Sequence, residues 1–478
     1  MSENMDSQSL LNTSNAVDTS AEDTYGVEGV YQELLSRAPE NAMAPRLNAV
    51  QDALDILGAP HQAAPVIHIT GTNGKTSTAR MIERLLMAHD LRTGRYTSPH
   101  LSKVTERISI DGHPVSDETF VCIWQEIRPY LDIVDAQLSA AGEPRITYFE
   151  ALTILAFAIF ADEPVDVVVL EVGIGGVWDA TNVAQAQVSV VTPISYDHTD
   201  ILGQTLAEIA AEKSGIIKEH GMLISAVQDP EAAQVLLERA QAVSAGYRFE
   251  GVEFGVLDRR PGVGGQMVDI RGLADTYTDV PVPLFGEHQS QNAAVAIAAV
   301  EAFLGGAEKP LNVELIRQGW EELTSPGRLE VLKTAPTIIL DAAHNPHGIR
   351  ASAHAFKESF AVGSLGIVIG VLGEKDAVGI FETIREEYFD SADFQTKLYL
   401  TASDSARAID VDTLKDMALD AGLSEFDLQT YERLDDALSA AVDQSLEHEE
   451  HASAILITGS ITVIGQVRSS WLPDGEGA

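Results

Sequence analysis

One short stretch, Pro65–His89, carries groups able to hold and polarise a phosphate. Pro65–Thr70 is an apolar, mostly β-branched run with the pattern of a strand. Gly71-Thr72-Asn73-Gly74 interrupts it, and from Lys75 onward Thr78, Ile82, Leu85, Leu86 and His89 fall on one helical face. Backbone N–H groups at such a helix start face an anion, and the glycines let the chain approach it. Lys75 adds a mobile positive charge, and the Thr76 hydroxyl suits Mg²⁺. The spacing G-x-x-G-K-T is shorter than the common G-x-x-x-x-G-K-[ST], so the flanking strand and helix carry the assignment to a nucleotide site.

Three further polar groups follow apolar strands. Ser98 closes the strand Arg92–Ser98. Glu171 lies at the end of Val165–Val172, a continuous apolar run of the kind buried on both faces of a parallel sheet. His198 comes after Val188–Ile194, within Ser195-Tyr196-Asp197-His198. Ligands bind outside the carboxyl ends of such strands, and a carboxylate there is costly without a partner. A hydroxyl, a carboxylate and an imidazole beside a triphosphate make a Mg²⁺ shell. His198 alone reads equally well as an ordinary loop histidine, and its company is what argues for function. The run Glu447-His448-Glu449-Glu450-His451 lacks the H-E-x-x-H spacing and reads as solvated charge.

Strands alternating with helices predict a doubly wound, mostly parallel α/β sheet. Thr24–Arg37 and Leu47–Leu57 read as packing helices, Arg107–Ile110 as the start of a hairpin around Asp111-Gly112, and Thr147–Phe160 as an apolar helix. Residues 222–286 read as extra strands and hairpins, followed by an Ala-rich helix, Gln289–Leu304. After the break Ser325-Pro326-Gly327 the pattern restarts. Thr337–Leu340 ends in Asp341-Ala342-Ala343-His344-Asn345, and Leu365–Leu372 is followed by Gly373-Glu374-Lys375-Asp376. Lys397–Thr401, the helix Val411–Ala421 and the strand Ser453–Thr458, ending in Gly459-Ser460, complete it. The expected organisation is a disordered tail over 1–23, a nucleotide-binding unit over 24–325, and a smaller Rossmann-like α/β unit over 326–478 that has no phosphate loop.

Whole-chain properties narrow the function. The 478 residues include 72 acidic and 31 basic ones, a formal net charge of −41, which argues against nucleic-acid or anionic-membrane binding. A few cations focused in one cleft still suit an anionic substrate. The single cysteine, Cys122, allows no internal disulfide and fits a reducing compartment. No apolar run reaches the about 18 residues of a membrane helix. The first basic residue is Arg37, unlike a signal or transit peptide, so a cytoplasmic location is expected.

The ordered motifs GTNGKTS, TSPHL with TER, TYFEA, LEVGIGG-x-x-DATN, TPISYDHTDILG, AEKSGI, SPGRLE, DAAHNPHG and a late TGS resemble folylpolyglutamate synthase and dihydrofolate synthase, a branch of the ATP-dependent Mur ligases. The resemblance runs from about Leu34 to Arg468. It implies that Gly71, Thr72, Asn73, Gly74, Lys75, Thr76 and Ser77 hold ATP, joined at the domain junction by Asn292, Arg328 and Asp341. It implies two Mg²⁺ sites drawing on Thr76, Ser98, Glu171 and His198, with Lys213 as a carbamate ligand, and a monovalent cation. Arg46, Leu47, Tyr148, Phe149, Trp178 and Asp179 resemble the pterin pocket, and His344 and Ser460 the positions that bind glutamate or align the intermediate. One position departs. Val177 stands where the family usually carries Arg, which removes a cation beside the metal site.

The implied reaction is amide formation through an acyl phosphate, with Lys75, Lys213, Arg328, Asp341 and His344 as the catalytic set. The expected substrates are ATP, L-glutamate, and dihydropteroate or a reduced folate, handled by a monomer. The rival readings are a Mur-type ligase with another acceptor and a non-catalytic nucleotide-binding regulator.

Overall fold

The computed structural model describes residues 26–38, 46–390, 394–447 and 452–471. The 1–23 tail and residues 448–451 of the acidic run fall outside these. Two sheets organise the rest. The first holds β1 (Val66–Thr70), β2 (Thr93–Tyr96), β3 (Ile108–Ile110), β4 (His113–Pro114), β5 (Val167–Glu171), β6 (Ala186–Val191), β7 (Met222–Ser225) and β8 (Gly246–Phe249), ordered β4-β3-β2-β5-β1-β6-β7-β8. Neighbours from β2 to β8 are parallel, while β3 and β4 form the antiparallel hairpin expected around Asp111-Gly112. Every residue of β1 and β5 is buried, as their unbroken apolar character requires.

Helices cover both faces. On one lie α1 (Val27–Leu35), α2 (Asn48–Ile56), α4 (Asp117–Ala140) and α5 (Tyr148–Asp162), packed into a core with Trp124, Phe157 and Leu152. On the other lie α3 (Lys75–Ala88), α9 (Glu287–Gly305) and α10 (Val313–Glu321), sharing a core with Ile67, Ile69 and Trp320. A small antiparallel sheet of β9 (Gly255–Gly262), β10 (Gly265–Arg271) and β11 (Thr276–Val282) packs on α9 through Val268, Ile270 and Val280.

The region 222–286 thus contains the expected strands, but it also holds a helix, α8 (Pro230–Ala242), next to the short α6 (Thr199–Leu202) and α7 (Leu206–Lys213). Asp229 caps α8 by accepting from Glu231 N at 3.0 Å, and Pro230 opens it. Its buried stripe is only Ala232, Leu236 and Ala240, too weakly apolar to stand out in the sequence.

The second sheet is ordered β12-β13-β17-β14-β15-β16, with β12 (Glu330–Thr334), β13 (Thr337–Leu340), β14 (Ser364–Ile369), β15 (Gln395–Leu400), β16 (Leu428–Thr430) and β17 (Ser453–Thr458). Only β12 runs antiparallel to its neighbour. The helices α11 (Pro346–Ser359), α12 (Ala377–Ile384) and α13 (Val411–Asp420) cover one face, and α14 (Leu434–Glu447) and α15 (Ile461–Trp471) the other. No described helix is long and apolar enough to cross a membrane.

One buried ion pair fixes the phosphate-loop helix against the strand that delivers Ser98. Arg95 on β2 donates from Nε to Glu83 Oε2 on α3 at 2.6 Å, with the side chains 1% and 2% exposed. Its other nitrogens donate to Thr97 Oγ1 and Ser109 Oγ, each at 2.9 Å. Removing one partner of such a pair leaves an uncompensated buried charge. Glu83→Ala is therefore expected to destabilise the protein by about 3 kcal/mol, read as a lower denaturant midpoint.

Candidate active site

The carboxyl ends of β1, β2, β5 and β6 meet at the start of α3, and the groups singled out in the sequence meet with them. Gly71 and Gly74 have φ of +145° and +88°. A Cβ at Gly71 would collide with Thr192 Oγ1, and one at Gly74 would lie 2.6 Å from Asn292 Oδ1. The loop is therefore pressed between β6 and α9 and needs glycine at both positions. Thr72 pins it further, its N–H donating to Pro193 O at 2.9 Å and its hydroxyl to Ser195 O at 3.0 Å.

Lys75 folds back over the loop, Nζ donating to Gly71 O at 3.2 Å and Thr72 O at 3.1 Å. Burial lowers its pKa, against the opposing pull of Glu171 and Asp197. Thr76 Oγ1 faces both oxygens of Glu171, at 2.9 and 3.0 Å, and Ser98 N approaches Glu171 Oε2 at 3.4 Å. Glu171 is 1% exposed, and burial raises its pKa despite the Lys75 charge. It has no ion-pair partner among the described residues. Lys213, 4% exposed, donates to Gly71 O at 2.9 Å. Burial, then the charge of Lys75, brings it down to about 7.

His198 has φ +51° and stands at the next strand end. Burial, then the Lys375 charge, brings it down to about 4, so the ring is neutral at pH 7. Its Nε2 lies 3.2 Å from Lys375 Nζ, so the ammonium donates to it. Lys375 also donates to Asp197 Oδ1 at 2.9 Å. Burial would raise the Asp197 carboxyl, but His344 and Lys375 hold it well below the usual carboxylate range. Asp197 and Lys375 are absent from the set of site residues drawn from the sequence. The signal was present: Lys375 lies in the turn after β14, at the carboxyl end of a parallel strand.

The second sheet supplies the opposite wall. Asp341, 6% exposed, accepts from Leu329 N at 2.9 Å and Ala343 N at 3.0 Å, which holds the chain beside Arg328. Arg328 is half-buried, with no side-chain hydrogen bond or ion pair among the described residues, while its charge bears on Asp341, Glu171 and Lys75. His344 engages Ala342 O through Nδ1 at 2.9 Å, turning Nε2 toward Asp197 Oδ2 at 3.7 Å. Ser460 is 1% exposed and caps α15, accepting from Val463 N at 3.2 Å. Asn292 donates to Gln289 Oε1 at 3.1 Å, and Ser77 Oγ meets Ser325 Oγ at 2.9 Å across the linker.

The residues resembling a pterin pocket are less uniformly available. Phe149 is half-buried, its ring so close to Gly173 that a Cβ there would lie 2.6 Å away, and Leu47 is half-buried nearby in the same core. Arg46 is committed to Glu150, Glu143 and the carbonyls of Pro144 and Arg145. Tyr148 is buried beneath Arg107, 5.4 Å from the ring centroid. Asp179 accepts from Gly173 N, Ile174 N, Thr181 N and Thr181 Oγ1, so both its oxygens hold the loop. Trp178 packs on a different core, with Leu202 and Ile209. Val177 is 46% exposed.

The chain matches the Mur ligase middle domain over residues 69–300 and the Mur ligase glutamate ligase domain over 327–461. It is 44% identical over 454 residues to the dihydrofolate synthase/folylpolyglutamate synthase of Mycobacterium tuberculosis, covering 91% of each chain. It is 33% identical over 419 residues to the folylpolyglutamate synthase of Lacticaseibacillus casei, covering 88% of this chain and 92% of that protein. The solved structure of Mycobacterium tuberculosis folylpolyglutamate synthase complexed with ADP and AMPPCP superimposes with a TM-score of 0.87 at 42% identity, covering 94% of this chain and 99% of that one. With the site geometry, these likenesses establish that the chain belongs to the dihydrofolate synthase/folylpolyglutamate synthase family of Mur-type ligases.

Proposed function

We propose that this chain joins L-glutamate to the carboxylate of dihydropteroate and to the terminal glutamate of a reduced folate, using ATP. The observation that carries the reading is the meeting of the phosphate loop with Glu171 and Lys213 on one side and with Arg328 and Asp341 on the other. The acceptor carboxylate attacks the γ-phosphorus, ADP leaves, and an acyl phosphate forms. The amine of L-glutamate attacks the acyl carbon, releasing phosphate and forming the amide. Two anions must approach each other for the first step, so the protein's contribution is positioning and charge neutralisation. Lys75 and the loop N–H groups hold the phosphates, and Arg328 brings a free guanidinium from the second unit. His344 and Lys375 face the amine side, where Lys375 offers a charge to a glutamate carboxylate. Ser460 anchors the loop beside them. Leu47 and Phe149 offer apolar faces to a flat ring, with Arg46, Tyr148, Trp178 and Asp179 shaping the loops behind them.

The donor set fits Mg²⁺. Glu171 is a buried carboxylate with no ion-pair partner among the described residues and the Thr76 hydroxyl beside it, and oxygens are the ligands a hard dication prefers. Thr76, Ser98, Glu171, His198 and a Lys213 carbamate would hold it, and it would neutralise phosphate charge. Burial and the Lys75 charge keep much of Lys213 in the neutral form that captures CO₂. The reading divides the chain at Ser325 into an ATP-binding unit over 24–325 and a glutamate-ligase unit over 326–478. It also takes the enzyme as a cytoplasmic monomer.

Purified protein with ATP, Mg²⁺ and L-glutamate should release ADP with either dihydropteroate or tetrahydrofolate, and a chelator should abolish the release. Response to one substrate alone would assign a single activity, and response to neither would overturn the reading. Lys75→Ala should lower turnover about a hundredfold or more. Lys213→Arg tests the carbamate: it keeps a cation but not a carbamate-forming amine, so a fall of about a hundredfold is expected. Wild-type turnover in Lys213→Arg would leave Lys213 as a simple cation.

A further inference from the structure

Asn345, 3% exposed, is the N-cap of α11, its Oδ1 accepting from Gly348 N at 2.8 Å. A cap needs only that acceptor, and Ser, Thr or Asp would serve as well. Its amide nitrogen does something else. Nδ2 donates to Asn73 Oδ1 in the phosphate loop at 3.1 Å and approaches Asp197 Oδ2 at 3.4 Å. Asn73 Nδ2 returns a bond to Asn345 Oδ1 at 3.3 Å and lies 3.1 Å from His347 Nδ1. Two carboxamides facing each other satisfy a donor and an acceptor on both sides; a capping carboxylate has no donor, and a capping hydroxyl has a single O–H on a shorter side chain in place of the two amide hydrogens directed at Asn73 and Asp197. Asp197 carries the link onward to Lys375. The amide of Asn345 therefore joins the phosphate loop, the loop after β6, and the wall that would hold the amine.

We propose that Asn345 and Asn73 act as positioning residues that seat the second unit on the phosphate loop, so that an acyl phosphate forms only where the amine is already aligned and water is excluded. The proposal rests on the ligase reading. Without the pair, ATP would still bind and the acyl phosphate would still form. Water would then attack it, breaking the anhydride bond and returning the acceptor carboxylate and inorganic phosphate. ADP would accumulate without amide.

The test is the ratio of ADP released to glutamate incorporated, beside thermal unfolding. Asn345→Ser keeps a capping oxygen but loses the reach to Asn73 and Asp197. It should unfold close to wild type, form amide about tenfold more slowly, and release more than one ADP per amide. Asn73→Ser, which alters the loop that holds ATP and so also changes the KM for ATP, should raise the same ratio at saturating ATP, and the ratio in the double variant should be no higher than in the poorer single one, because the pair acts as a unit. A purely structural role would lower stability or rate and leave the ratio at one. A ratio of one in Asn345→Ser, or multiplying losses in the double variant, would overturn the proposal. Wild type is scored first: a wild type that forms no amide overturns the ligase reading, and this inference with it.

Discussion

A carboxylate at the end of a strand buried on both faces has to be neutralised, and the arrangement around Glu171 follows from that need. The strand cannot be moved outward, because β5 lies between β1 and β2 and is buried along its length. What can be arranged is the company. Thr76 on α3 turns its hydroxyl to both oxygens, and Lys75 lies close enough to oppose the effect of burial. That company exists only if α3 starts where it does, which in turn requires the tight turns at Gly71 and Gly74. The buried Arg95–Glu83 pair then sets α3 against β2, and with it Thr76 against Ser98.

The same need explains which parts were legible in the sequence. Strand ends and glycine turns are local features, so the places of the phosphate loop, Glu171 and His198 at strand ends, and the break at Ser325, could be read from the run of strands and helices around them. The parallel sheets were equally legible, because apolar runs such as Val167–Glu171 and Ser453–Thr458 leave little choice. The helix α8 was not. Its buried positions are mostly Ala, so it shows no sharp stripe, whereas Phe120, Ile123, Trp124, Ile127, Leu131, Val134 and Leu138 give the 24-residue α4 a regular one.

Partnership across the cleft was the least legible feature. Nothing in Gly373-Glu374-Lys375-Asp376 says that its lysine meets Asp197, which lies 178 residues earlier. Asp179 illustrates the reverse difficulty. A carboxylate among glycines looks free to bind a ligand, yet its oxygens hold the backbone of the loop that contains it. Sequence spacing identifies which groups can do chemistry. It does not say which of them folding has already occupied.

The charge balance of the cleft is the strongest argument that anions belong in it. In a chain of net charge −41, acids are abundant and most arginines find one. Yet Lys75, Lys213, Lys375 and Arg328 converge here against Glu171, Asp197 and Asp341, and the lysines beside the loop are held below their ordinary pKa. Arg328 stays half-buried, with no side-chain hydrogen bond or ion pair among the described residues. Bringing cations together in a buried place is unfavourable for folding alone, and a triphosphate with two substrate carboxylates would relieve it. Lys375 adds its charge to the cleft from the facing unit, donating to Asp197 and to His198.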